Sequence, residues 1–139
     1  MGGFLLPIFR IEVTMKISEA ISKATESVSN TLDRRVFIDW LSRLDWQIKT
    51  EILDNYTDEI EYNGYEEDTD ENTELLVSTP YDELYIRYLE AQIHRYYEDI
   101  NKYNNCIAEY NAIYNKFRAQ YNRTHKHKGA TRYRFYGGT

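Results

Sequence analysis

Residues 73–129 read TELLVSTPYDELYIRYLEAQIHRYYEDINKYNNCIAEYNAIYNKFRAQYNRTHKHKG and hold nine of the fourteen tyrosines of the chain. Tyrosine suits a core, an interface or a stacking surface equally well, so its spacing has to decide between them. From Ile86, steps of three and four residues reach Leu89, Ile93, Tyr96, Ile100, Tyr103, Ile107, Tyr110, Tyr114, Phe117 and Tyr121. Ile86, Ile93, Ile100 and Ile107 then share one seam position of a heptad, and Leu89, Tyr96, Tyr103, Tyr110 and Phe117 the other. The pattern predicts one helix over 81–122, ~63 Å long at the usual rise per residue. Thr79 as a cap, Pro80 at the first helical position and Asp82 just beyond mark its start.

Working upstream, Met15 to Tyr56 reads as two more helices. Ser18 caps a short one, SEAISKATESVSN, with Ala20, Ile21, Ala24 and Val28 along one side. A second runs from Asp33 to Asn55, with Phe37, Leu41, Leu44, Ile48 and Ile52 on its apolar stripe and Trp40 flanking it. At ~20 and ~34 Å these two helices cover only part of the third. The spacing therefore predicts a three-helix core around residues 86–103. Beyond Ile107 it predicts a subunit interface made by Tyr110, Tyr114, Phe117 and Tyr121, because such aromatics tolerate water before assembly and stay dry after it. A simple two-stranded coiled coil fits less well, since the flanking Tyr85, Tyr97, Asn104, Cys106, Asn111 and Ile113 lack complementary charges.

Between the second and third helices, Asp54 to Glu74 holds ten acids and no Lys or Arg. Such a run reads as a solvated loop. Within it, Tyr62-Asn63-Gly64-Tyr65 predicts a short β-hairpin, because Asn-Gly supplies the positive φ of a tight turn. Asp68-Thr69-Asp70-Glu71-Asn72 resembles the opening of a calcium loop but has Thr73 where glycine is required and Thr79 where a bidentate glutamate is required. No other constellation points to metal, cofactor or catalysis: His94 reads as a rim residue and His125 with His127 as a pair in a flexible tail. The chain is therefore expected not to be an enzyme, and to have no metal site and no cofactor.

At 139 residues, 42% of them hydrophobic, the chain has the length of one domain. Its mean hydropathy of -0.72 implies a thin core. The single Cys106 leaves no internal disulfide to form and suits a reducing cytoplasm. No apolar run is long enough to span a membrane. Residues 1–14 lack the basic flank and cleavage site of a secretory signal, and Leu6 stands where a myristoylation motif needs Ser or Thr. They are expected to form a flexible extension. At the other end, residues 122–139 carry Arg123, Lys126, Lys128, Arg132 and Arg134 with no acid, so this tail is +5, which leaves -11 on the rest of a chain of net charge -6. Tyr133, Phe135 and Tyr136 alternate with its arginines. The expected organisation is a 1–14 extension, a 15–122 helical domain and a 123–139 basic aromatic tail. The expected fold is mainly α: a small bundle of about three helices with one long C-terminal helix, an acidic loop carrying the short β-hairpin, and extended termini.

The run TELLVSTPYDELYIRYLEAQI, followed by KYNN, EYNAIYNKF and YNRTH, resembles the head-to-tail connectors, or neck adaptors, of tailed bacteriophages and prophages. The likeness extends over about residues 15–128 and includes FIDWLSRLDWQI, DTDENTELLV and PYDELY. It implies a non-enzymatic virion protein of the neck, between capsid and tail, made in the bacterial host cytoplasm. As such it would form a homo-oligomeric ring, a dodecamer in the family, below the portal protein and above the next neck protein, a stopper or tail terminator. DNA would pass through without sequence-specific binding. The first fourteen residues and the RYRFYGGT end depart from the family pattern; that Arg123, Lys126, Lys128, Arg132, Tyr133, Arg134, Phe135 and Tyr136 dock on the portal is an expectation from the charge and aromatics of this tail, not from the resemblance. The alternative from another class is a helical regulator that binds nucleic acid through the same basic tail, against which the -11 body argues by repulsion.

Overall fold

The computed structural model of the protein describes residues 13–129. Its fold is mainly α. Strand β1 (Thr14–Lys16) leads directly into helix α1 (Ile17–Ser27), and α2 (Arg34–Glu51) follows. After a short 3-10 turn at Leu53–Asn55 the acidic segment crosses to strand β2 (Glu74–Ser78), and α3 (Glu83–Tyr96) and α4 (Ile100–Thr124) complete the described chain.

The helix expected over 81–122 is two helices. At Tyr97-Glu98-Asp99 the chain turns back, with Glu98 in the left-handed region at φ 60°. The Asp99 N–H donates to the His94 carbonyl at 2.8 Å and the Glu98 N–H to the Arg95 carbonyl at 3.0 Å, the paired bonds of a Schellman ending with glutamate in the usual glycine place. Asp99 then caps α4, its carboxylate accepting from the Lys102 N–H at 3.3 Å. A straight rod of that length would have left half its stripe wet. Folding back lets the stripe bury itself: Tyr88 meets Tyr110 at 5.3 Å and Tyr81 meets Phe117 at 5.8 Å between ring centroids. The two helices therefore run antiparallel.

The start of α3 also differs from expectation. Thr79 ends the sheet, its N–H donating to the Val13 carbonyl at 2.8 Å, and the helix begins only at Glu83. Pro80 is thus a turn residue ahead of the helix. Similarly, Ser18 lies inside α1 and does not cap it. The Ile17 and Ser18 N–H groups donate instead to the Thr73 and Glu71 carbonyls at 3.0 and 3.1 Å, so the acidic segment caps this helix with its backbone. For α2 the expected start holds, with Asp33 accepting from the Arg35 N–H at 3.0 Å.

The sheet has two antiparallel strands, but they are not the ones expected. Thr14 pairs with Ser78 and Lys16 with Glu74, with an irregularity between. Residues 62–65 form no ladder; Gly64 does take a positive φ of 87°, while Tyr62 and Tyr65 turn into the core. Asn-Gly here makes a bend that delivers two aromatics, because inward burial of those rings outweighs pairing of so short a hairpin. Of the expected 1–14 extension, Val13 and Thr14 are described, and Thr14 already belongs to β1.

One core joins all the elements. Ile17, Ala20 and Ala24 of α1 meet Phe37, Ile38, Leu41, Leu44 and Ile48 of α2 and Leu84, Leu89 and Ile93 of α3. Tyr110, Tyr114, Phe117 and Tyr121 of α4 belong to the same core.

Candidate functional site

The groups able to do chemistry come together first around Asp45. This residue lies on the inner face of α2, four residues after Leu41 and three before Ile48, and is fully buried. Tyr85 of α3 donates its hydroxyl to one carboxylate oxygen at 2.6 Å, and Tyr65 of the acidic segment donates to the other at 2.5 Å. The Leu76 N–H of β2 also donates to Asp45 at 3.2 Å, and the Tyr85 oxygen accepts from the Val77 N–H at 2.8 Å. Burial pushes the Asp45 carboxyl up to about 6, against the three hydrogen bonds that favour its charge. Burial, and then the Asp45 charge, hold the Tyr65 and Tyr85 hydroxyls well above their ordinary range.

This cluster has the perturbed carboxyl of an active site without access for a substrate. Its geometry ties α2, β2, α3 and the acidic segment to one point. It is a structural clasp. Nearby, Tyr62 donates to the Ser42 carbonyl at 2.9 Å, and the Tyr65 N–H donates to the Ser42 hydroxyl at 3.0 Å. Trp46 packs edge-on against Tyr62 at 4.9 Å between ring centroids. The acidic segment is thus stapled down by tyrosines while all ten of its acids stay exposed, so the expected solvated loop is solvated only on its charged side.

The distal stripe lies elsewhere than the sequence reading places it. Tyr110, Tyr114, Phe117 and Tyr121 are 5–8% exposed, inside the chain's own core. The premise that they lack an intrachain partner is corrected by the fold-back of α4 and by the end of α2: the Tyr114 hydroxyl donates to the Glu51 carboxylate, and Tyr56 stacks edge-on against Tyr121 at 5.0 Å. The Tyr110 hydroxyl is buried without a hydrogen-bond partner among the described residues.

The first part of the expected tail is docked to the body. Arg123 lies within α4, and its helix ends at Thr124. Thereafter the Thr57 N–H donates to the Lys126 carbonyl and the Lys128 N–H to the Asn55 carbonyl, both at 2.9 Å. His125 stacks face to face on Tyr121 at 3.6 Å and lies 3.7 Å from Asp58, and His127 packs against Tyr56 at 5.1 Å. The two histidines flank tyrosine rings in an ordered turn, a correction to the flexible pair expected. Among the described residues no group of three or more His, Cys, Asp or Glu is arranged to hold a metal. Arg123, Lys126 and Lys128 keep their side chains exposed. Arg132, Tyr133, Arg134, Phe135 and Tyr136 lie outside the described residues.

Two further surface features lie at opposite ends of the α3–α4 pair. A groove of about 530 Å³ runs between β2, the start of α3 and the end of α4, walled by Ile60, Leu76, Tyr81, Phe117 and Tyr121 with Asp58 and His125 at one side. At the opposite end of the α3–α4 pair, Tyr96, Tyr97 and Ile100 are 60, 48 and 56% exposed. The seam positions Tyr96 and Ile100 and the flanking Tyr97 were expected along one continuous helix; the turn at Glu98 leaves them at a tip. Among the described residues no helix is long and apolar enough to cross a membrane. Comparison of the chain with protein-family models, curated proteins and solved structures finds no match.

Sequence reasoning missed Asp45 and its tyrosines. The signal was present: an acid at a stripe position, between Leu41 and Ile48 on the apolar face, needs partners once buried. Which tyrosines supply them depends on contacts 20 and 40 residues away in sequence.

Proposed function

We propose that the chain is a structural protein of a phage virion, a neck adaptor that joins the head to the tail and lets DNA pass. The observation that carries this reading is the division of charge. All ten acids of the 54–74 segment are exposed on a body of charge -11, whereas residues 122–139, from the end of α4 onward, carry +5 and three aromatics in sequence. A body of net negative charge repels the duplex, as the wall of a DNA passage must. A cationic aromatic tail suits charge-assisted docking on acidic residues of another protein, here the portal. The mainly α fold and the quoted resemblance support the same reading. In it, the partners are further copies in a ring, the portal above and the next neck protein below.

The test is assembly. Deleting residues 130–139, or combining Arg132→Glu with Arg134→Glu, is expected to leave the helical circular dichroism intact while the protein no longer joins portal-containing heads. Normal head completion by the truncated chain would remove the docking role of the tail. Loss of duplex binding with head joining unchanged would favour the nucleic-acid regulator instead.

A further inference from the structure

We propose that residues 4–9, FLLPIF, dock in the chain's own groove between β2, the start of α3 and the end of α4. This contact goes beyond the adaptor reading and stands independently of it. The described residues begin at Val13, and Val13 itself walls the groove, together with Ile60, Leu76, Tyr81 and Phe117. The link to residues 1–12 therefore lies at the groove's edge. It cannot continue the sheet: the Thr79 N–H donates to the Val13 carbonyl at 2.8 Å, and the next residue along that strand edge, Pro80, has no N–H to give. The ladder ends there, and the chain leaves it alongside the groove.

Composition matches the walls. FLLPIF is the longest apolar run in the sequence, in a chain of mean hydropathy -0.72. Ile60, Leu76 and Tyr81 pack against the core but are only partly covered, so apolar surface is left for such a run to bury. The rest of the wall is polar, with Asp58, Ser78, Gln120 and His125. A mixed wall suits a peptide, whose backbone N–H and C=O groups need partners where its side chains need apolar contact. Reach favours the chain's own segment over any other occupant. Only Arg10, Ile11 and Glu12 separate the run from Val13, at most ~13 Å of extended chain, and so short a tether gives an effective concentration in the millimolar range. Arg10 is the one Lys or Arg of residues 1–12, and Asp58 on the groove wall offers it a carboxylate.

The experiment is NMR relaxation of the backbone amides in the full chain. In wild type the amides of Phe4, Leu5, Leu6, Ile8 and Phe9 are expected to give order parameters near those of the helices, about 0.85. Leu5→Asp with Ile8→Asp removes the apolar match and Gln120→Trp fills the groove. Each is expected to drop those amides below about 0.6 while the resonances of α2 stay in place. Should Gln120→Trp disturb the fold, Asp58→Lys reads the same groove through the resonances of Arg10 and its neighbours. Wild-type values already below about 0.6 overturn the proposal. Ordered amides that neither groove variant moves place the segment elsewhere and overturn it too. If Gln120→Trp shifts residues 132–136 and leaves 4–9 unchanged, the groove belongs to the basic tail and the proposal fails. Order that disappears on dilution, with dimers in sedimentation, means that a second copy's segment fills the groove, and the proposal fails equally.

Discussion

Replacing Glu98 by glycine and by alanine separates the two ways of reading the tyrosine-rich region, because the two substitutions change sign between them. In the structure Glu98 sits at φ 60°, where a residue with a Cβ loses roughly 1–2 kcal/mol relative to right-handed backbone. Glycine removes that strain but gives back about 0.4–1 kcal/mol through a freer unfolded chain. The net expectation is that Glu98→Gly stabilises by about 1 kcal/mol, while Glu98→Ala keeps the strain and gains nothing. In a continuous helix over 81–122 the order reverses, since glycine in a helix interior is about 1 kcal/mol worse than alanine. The glycine–alanine difference therefore moves by about 2 kcal/mol between the two structures, several degrees in Tm for a chain of this size. Urea unfolding followed by far-UV circular dichroism, with an unchanged m-value, reads it. An alanine variant more stable than the glycine variant would refute the helical hairpin.

The Asp45 clasp predicts a pH dependence. Its folded-state carboxyl titrates at about 6 against an ordinary 3.8, so the folded state holds the proton more tightly than the unfolded one. The associated stability is fully present below about pH 4 and is lost as pH rises to about 6, amounting to about 3 kcal/mol over the window; Asp45→Asn should flatten that slope in urea titrations run across it. Tyr85→Phe leaves both Asp45 and the Val77 N–H short of a partner and should cost about 2–4 kcal/mol in the same assay. Tyr110→Phe removes a buried hydroxyl that has no partner and should be neutral or stabilising by about 1 kcal/mol; a large loss would mean that this hydroxyl is bonded. Tyr110→Ala should cost about 3–5 kcal/mol, and adding Tyr114→Ala should unfold the chain, since these rings are core. A folded double variant would return them to an interface.

Three- and four-residue spacing alone identified the inner faces of α1, α2, α3 and the second half of α4: Leu41, Leu44 and Ile48, Leu89 and Ile93, Tyr110, Tyr114, Phe117 and Tyr121 are all buried. Period specifies which side of a helix is apolar, and that is local information. The Asp33 cap and the positive φ of Gly64 were local in the same sense. What the period could not give is where a helix stops when no glycine or proline marks the place. Glu98 occupies a glycine position, and only the gain from folding the stripe onto itself drives it there. The same tertiary choice decided that the distal tyrosines are core, that Tyr96 and Ile100 form a tip, and that Tyr62 and Tyr65 leave a hairpin turn to close over Asp45. Strand pairing likewise joined Thr14–Lys16 to Glu74–Ser78, some sixty residues apart, which no short-range pattern encodes. Burial competes across the whole chain at once, and so its outcome is a property of the assembled fold.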